Sequence, residues 1–231
     1  MSRLIVTLDG PAGVGKTTVA RMLAQRLGIA YLDTGAMFRA VAWSLGEGAW
    51  ELPQDDLLRA LSRMDFELES AGEHSTLLLN GVPVPAAIRS EEVGLWASHM
   101  GRIPAVREFL RRSQRLIAAD VSLVAEGRDM GSVVFPQAPH KFFLDADPMV
   151  RAQRRYAQLQ AMGMDADLDR LATQIRIRDD QDRNRAIAPL RPAPDAVLID
   201  TGQADAAGVL ARILAHMGYD EPNSRLARSH S

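Results

Sequence analysis

The stretch Gly10-Pro-Ala-Gly-Val-Gly15-Lys16-Thr17 restricts this chain more than any other. It follows Leu4–Leu8, a run rich in apolar residues that suits a strand buried on both faces of a parallel sheet. It opens onto Thr17–Leu27, where Val19, Met22, Leu23 and Leu27 recur at helical spacing and Gly28 supplies a stop. Strand, glycine loop and helix, in that order, form the setting in which a glycine, four residues and Gly-Lys-Thr wrap a phosphate. The glycines let backbone N–H groups turn inward, and the helix adds its positive end. Lys16 can then reach the β- and γ-phosphates, and the Thr17 hydroxyl can ligate Mg²⁺. A dinucleotide fingerprint does not fit, because Thr18 stands where a third glycine or an alanine is needed.

The loop specifies a nucleoside triphosphate without saying what is done with it. A switch, a motor and a small-molecule kinase all remain. A guanine-reading Asn-Lys-x-Asp is absent, and the other lysine, Lys141, lies inside an expected strand. Motors often carry an apolar run ending in acidic residues. Ser122–Glu126 partly fits, but Gly127-Arg128-Asp129 departs from it.

Composition narrows the choice by exclusion. A 231-residue chain that is 47% hydrophobic can bury a sizeable core. With no cysteine, disulfides, iron–sulfur clusters and thiol nucleophiles are excluded, and the five histidines are scattered away from ligand spacing. A net charge of −2 gives no global basic field for nucleic acid or an anionic membrane. Among the 27 basic residues only Lys16 and Lys141 are lysine. Arginine's planar fork suits bidentate contacts with phosphate, whereas lysine is a point charge. No run matches an export signal or a membrane span, so a soluble, cytoplasmic protein is expected.

Further along, Ile29–Leu32 reads as a strand and Ala36–Leu45 as a helix, giving the alternation of an α/β fold with a parallel sheet. The pattern changes between about Asp65 and Arg89. Phe66–Glu69 alternates, and Asn80-Gly81 joins Leu77–Leu79 to Val82 and Val84 as a hairpin turn. An antiparallel insertion is expected there. Helices are expected at Glu91–Met100, Pro104–Ala119, Asp147 to about Met162, Asp167–Arg185 and Ala204–Met217. Further strands are expected at Ser122–Ala125, Lys141–Leu144 and Val197–Asp200, with a disordered tail over 220–231.

Three more segments carry charge in useful places. In Leu32-Asp33-Thr34-Gly35-Ala36-Met37-Phe38-Arg39, Asp33 or Thr34 can cap a helix and Arg39 lies one turn inside it. Glu126-Gly-Arg128-Asp129-Met-Gly131 ends a buried strand, at the sheet edge where α/β proteins bind ligands. Arg128 suits a phosphate there. Asp129 suits an amine, such as the N4 group of cytosine, unless the two merely pair with each other. The helix bearing Arg176, Arg178, Asp179, Asp180, Asp182, Arg183 and Arg185 is either a solvated salt-bridge helix or an arginine-bearing lid. Arg151, Arg154 and Arg155 could join such a lid, hinged at Ala161–Met164.

Together with Arg178-Asp-Asp-Gln-Asp-Arg-Asn-Arg185-Ala-Ile-Ala-Pro-Leu190, these segments resemble the bacterial cytidylate (CMP) kinases, from about residue 4 to 217. The resemblance implies a P-loop kinase: a central parallel sheet flanked by helices, a small antiparallel β insertion and a helical lid. It implies one domain over 1–231, with a monophosphate-binding subdomain at about 34–103, its insertion at about 65–89, and a lid at about 151–190. It implies transfer of the ATP γ-phosphate to CMP or dCMP with Mg²⁺, in line, without a covalent intermediate, in pyrimidine metabolism. Gly10, Pro11, Ala12, Gly13, Val14, Gly15, Lys16, Thr17 and Thr18 would cradle ATP, with Thr17 on the metal. Thr34, Arg39 and Arg128 would meet the CMP phosphate, and Asp33 would belong to the same substrate site. Ser98, Arg107 and Asp129 would read the base. Arg178 and Asp182 would hold the sugar side, and Lys16, Arg128 and Arg185 would stabilise the transferred group. No nucleic acid or membrane is expected as a partner, and a monomer is the simplest state. Three residues depart from the family pattern: Phe38 for a common tyrosine, Glu126 for aspartate in some members, and Gln181 for arginine in some.

Overall fold

Short apolar runs alternate with amphipathic stretches, and each takes the structure its period dictates. The structure is a computed structural model that describes residues 3–71 and 74–219. The elements are β1 (Ile5–Asp9), α1 (Lys16–Leu27), β2 (Ala30–Asp33), α2 (Thr34–Leu45), α3 (Gln54–Leu61), β3 (Phe66–Ala71), β4 (His74–Leu79), β5 (Val82–Pro83), α4 (Glu91–Met100), α5 (Pro104–Asp120), β6 (Leu123–Gly127), β7 (His140–Asp145), α6 (Pro148–Ala161), α7 (Leu168–Arg183), β8 (Val197–Asp200) and α8 (Ala206–His216).

The central sheet has the order β2-β6-β1-β7-β8, and its pairings are all parallel. Its strands are apolar on both faces because helices cover both. Leu123 and Ala125 pack with Met37, Val41 and Leu110 on one side, while Val124 packs with Leu8, Leu23 and Ile213 on the other. The chain leaves β1 toward β2 and β6 on one flank and returns to β7 and β8 on the other. The carboxyl end of β1 is therefore a topological switch point, where open α/β sheets bind ligands. Register lines up the acidic ends there: Asp33 lies beside Glu126, and Asp9 beside Gly127.

The expected insertion is a three-stranded antiparallel sheet, β3-β4-β5, followed by a 3-10 turn at Ala86–Arg89. Asn80 and Gly81 both take positive φ, 54° and 74°, the twist a two-residue hairpin needs. Ser75 Oγ accepts from Tyr31 N at 2.9 Å, so the insertion covers the edge of β2.

Apart from short 3-10 turns, α3 and a π-helical turn stand outside the sequence expectation. α3 is short and offers only Leu57 and Leu61 to the core, so its period is weak in sequence. Met130–Val134 forms a π-helical turn directly after the Arg128-Asp129 pair. Asp9 holds that turn, its carboxylate accepting from Met130 N and Gly131 N at 2.8 Å each, across a separation of more than a hundred residues. The disordered tail expected at 220–231 lies outside the described residues.

Candidate active site

The glycine loop is shaped by close approach. A Cβ on Gly10 would sit 2.1 Å from the Leu144 carbonyl oxygen, so only glycine fits between β1 and β7. Gly15, at φ 92°, is the N-cap of α1 and turns the chain into the helix. Lys16 is buried, and its Nζ donates to the Pro11 carbonyl at 2.7 Å, beside the helix N-terminus. Burial first, and then the nearby Arg128, push the ammonium pKa well below its ordinary value, while Glu126 and Asp9 oppose that. A phosphate chain seated on the loop would supply the negative charge that this ammonium favours.

Thr17 Oγ1 donates to Glu126 Oε2 at 3.1 Å. The other oxygen, Oε1, accepts from Tyr31 Oη. Burial and the neighbouring Asp33 carboxylate raise the Glu126 pKa, and they raise the Tyr31 hydroxyl as well, together with Glu126. Glu126 thus belongs to the site, although it was not among the expected site residues. Its place as the acidic end of the apolar run Ser122–Glu126 is the signal the sequence offers, and the sheet register sets it beside Asp33. Among the described residues no three His, Asp or Glu side chains gather as a metal site. The hydroxyl–carboxylate pair at the loop mouth instead fits a hard cation that keeps most of its ligands as water and phosphate oxygens.

On the acceptor side, Asp33 rather than Thr34 caps α2, with Oδ1 accepting from Ala36 N at 2.9 Å. Its Oδ2 meets Arg89 at 3.0 Å. The buried Thr34 gives its hydroxyl hydrogen to the Glu126 carbonyl at 2.6 Å. Arg39 reaches back from α2 to donate to the carbonyls of Ile88 and Ser90 at 3.1 and 3.0 Å. Gly94 makes room for it, since a Cβ there would lie 3.0 Å from the guanidinium nitrogens.

Arg128 and Asp129 do not pair with each other. Arg128 Nε donates to Asp182 Oδ2 at 3.0 Å, and Asp129 Oδ2 accepts from Arg107 Nη2 at 2.5 Å. Asp182, buried on α7, takes Arg128 on one oxygen and Arg185 on the other. Both oxygens that would meet a sugar are therefore engaged by arginines in this conformation. Arg178 has no hydrogen-bonded partner among the described residues; its side chain is exposed at the rim, yet desolvation by the surrounding protein, followed by repulsion from Arg128, lowers its pKa to about 10. Burial also leads in lowering Arg39 and Arg185, with repulsion from Arg89 next for Arg39 and from Arg107 for Arg185.

These side chains share one cavity of about 300 Å³. Asp33, Thr34, Arg39, Ser98, Arg107, Arg128, Asp129, Arg178, Asp182 and Arg185 all line it, and Ala12, Gly13, Lys16 and Thr17 bring in the loop. Gly10, Pro11, Val14, Gly15 and Thr18 stay off its wall, Thr18 being exposed and Val14 buried. The arginines of α6 do not join. Arg154 donates to Thr201 O at 2.5 Å, Arg155 pairs with Glu91, and Arg151 is fully buried against Asp179. Lys141 is likewise structural, buried with its Nζ 2.5 Å from Asp195.

A loop for a triphosphate thus faces a second pocket rich in arginine, with a carboxylate–guanidinium pair beyond it. The family model for cytidylate kinase matches residues 6–218. The chain belongs to the cytidylate kinase family. A cytidylate kinase of Maridesulfovibrio salexigens is 57% identical over 91% of this chain and 94% of its own length. One from Oleidesulfovibrio alaskensis is 55% identical over 93% and 98%, and one from Vibrio cholerae 46% identical over 85% and 88%. Among solved structures, a shikimate kinase from Bacteroides thetaiotaomicron aligns with a TM-score of 0.47 at 16% identity, covering 93% of this chain and 98% of that one. As in other cytidylate kinases, ATP is the phosphate donor.

Proposed function

We propose that the cavity is the phosphoryl-transfer centre of a CMP kinase, moving the γ-phosphoryl group of ATP to CMP or dCMP and releasing ADP with CDP or dCDP. The observation that carries this is the convergence of Lys16, Arg39, Arg128, Arg178 and Arg185 on one cavity, where desolvation and mutual repulsion lower the pKa of Arg39, Arg178 and Arg185. Asp182, Glu126 and Asp9 offset part of the cost of assembling these cations, and a multiply charged anion would offset the rest.

In this reading the loop at Gly10–Thr18 seats the ATP phosphates, with Lys16 leaving the Pro11 carbonyl for the β- and γ-oxygens. Arg39 and Arg128 hold the acceptor phosphate, Arg178 and Asp182 the sugar side, and Arg185, just past the end of α7, reaches the transferred group. Arg107 and Asp129 read the base, with Ser98 on the same wall. The accepting phosphate oxygen is already anionic, so no general base and no covalent intermediate are needed. Rate then comes from alignment and from charge stabilisation in a water-poor site. Mg²⁺ would be held by Thr17 with Glu126 behind it, and when bound it neutralises phosphate charge.

The segments 34–103 and 151–190 act as acceptor-binding subdomain and lid, and the protein works as a cytoplasmic monomer. Among the described residues no helix is long and apolar enough to cross a membrane. The test is a coupled ADP-release assay over CMP, dCMP, UMP, AMP and shikimate, with and without EDTA. Turnover with CMP and dCMP that EDTA abolishes is expected. No release with any acceptor would overturn the reading, and sedimentation velocity checks the monomer.

A further inference from the structure

The buried pair Arg151–Asp179 lies outside the cavity and has no part in the contacts above. Arg151, on α6, is fully buried. Its guanidinium binds Asp179 through both carboxylate oxygens, one at 3.0 Å. Its Nη1 also donates to the Ala12 carbonyl of the glycine loop at 3.1 Å, and its Nε to the Ala146 carbonyl after β7 at 3.0 Å. One planar cation therefore joins the donor loop, the sheet edge, α6 and α7. Its stem packs under the loop as well, because a Cβ on Gly13 would lie 3.5 Å from Arg151 Cβ.

The position of Asp179 on α7 gives this joint its consequence. It follows Arg178, and Asp182, which grips Arg128 and Arg185, lies less than one turn further on. The two carboxylates, three residues apart on one face of α7, thus tie that face to two places, Asp179 to the triphosphate loop and Asp182 to the acceptor-side arginines. We infer that Arg151 and Asp179 are a positioning pair that fixes the distance between the loop carrying Lys16 and the arginines Arg178 and Arg185. This deepens the kinase reading and rests on it. Neither residue touches substrate; they act through the backbone of the loop and of α7. A displacement of about 1 Å between donor cradle and lid is enough to cost two orders of magnitude in an aligned transfer.

The test separates positioning from folding. Exchanging both members for apolar residues of similar size, Arg151→Met with Asp179→Leu, removes the joint without leaving a lone buried charge, a change that stability tolerates. The double variant should melt close to wild type. Its kcat should fall about tenfold to a hundredfold with a raised KM for ATP. Arg151→Lys is the second variant: it keeps the charge but cannot reach Asp179, Ala12 and Ala146 together, and it should show the same kcat loss. Wild-type kcat in either folded variant overturns the inference. Unfolding of both overturns it too, by assigning the pair to the fold. CMP turnover by the wild type in the same assay tests the kinase reading separately.

Discussion

Replacing Asp129 by asparagine should turn the base preference. Asp129 is 4% exposed, and Arg107 holds its Oδ2 at 2.5 Å while Oδ1 accepts no hydrogen bond among the described residues. Cytosine offers an amine at N4, which Oδ1 can accept. Uracil offers an oxygen there, so two acceptors would face each other out of water. In Asp129→Asn the fixed Arg107 keeps the amide oxygen, which turns the NH₂ toward the base. That donor opposes the cytosine amine and matches the uracil oxygen. A hydrogen bond to a charged group contributes about 1.5–3 kcal/mol, and an unpaired buried group costs about 1–3 kcal/mol. Taking about 2–4 kcal/mol for the whole exchange, the CMP-to-UMP ratio of kcat/KM should fall about 30- to 1000-fold. Coupled ADP-release kinetics with both nucleotides measure it. An unchanged ratio in a folded variant refutes the base-reading geometry. Asp129→Ala is the poorer probe, because it leaves Arg107 as an uncompensated charge whose side chain is only 11% exposed.

Lys16→Ala should melt near wild type, since burial already disfavours its ammonium, yet lose at least about a hundredfold in kcat; near-normal turnover would remove Lys16 from the mechanism. Glu126→Gln should raise the Mg²⁺ concentration needed for half-maximal rate, read from a Mg²⁺ titration at fixed ATP, and an unshifted curve would detach Glu126 from the metal. Burial pushes the Asp9 carboxyl from its ordinary 3.8 up to about 6, so between those values the folded protein keeps a proton that the unfolded chain has released. Stability from this group therefore falls as pH rises through that window, by up to about 3 kcal/mol, and the Tm advantage of wild type over Asp9→Asn should shrink between pH 4 and 7; a constant difference would contradict it. Gly10→Ala should fail to fold or lose more than about 3 kcal/mol in urea titration, because its Cβ has no space beside Leu144, and a near-wild-type melt would disprove that packing.

What the sequence made legible was local. The glycine loop, the helix starts at Asp147 and Asp167, the Asn80-Gly81 turn and the carboxyl-edge arginines each announce themselves within a few residues, and their geometry follows. What it hid was long-range pairing of charge. Arg128 and Asp129 are neighbours in sequence, but they sit in the bend between β6 and the π-helical turn, where one turns to Asp182 and the other to Arg107. Asp9 reads as the last residue of a strand and gives no hint that it holds a turn after Gly127. The arginine-rich composition was likewise ambiguous, and only the fold divides it. Lysine at 16 meets a requirement for a compact charge on a flexible stem, whereas Lys141 is a buried tether. Arg151 meets the opposite requirement, acceptors on three chain segments reached at once from one rigid plane, which no ammonium can satisfy. Arginine there is dictated by geometry, whatever set the overall count, and that is why the same residue type can serve the cavity at Arg39 and Arg178 and the frame behind it at Arg151.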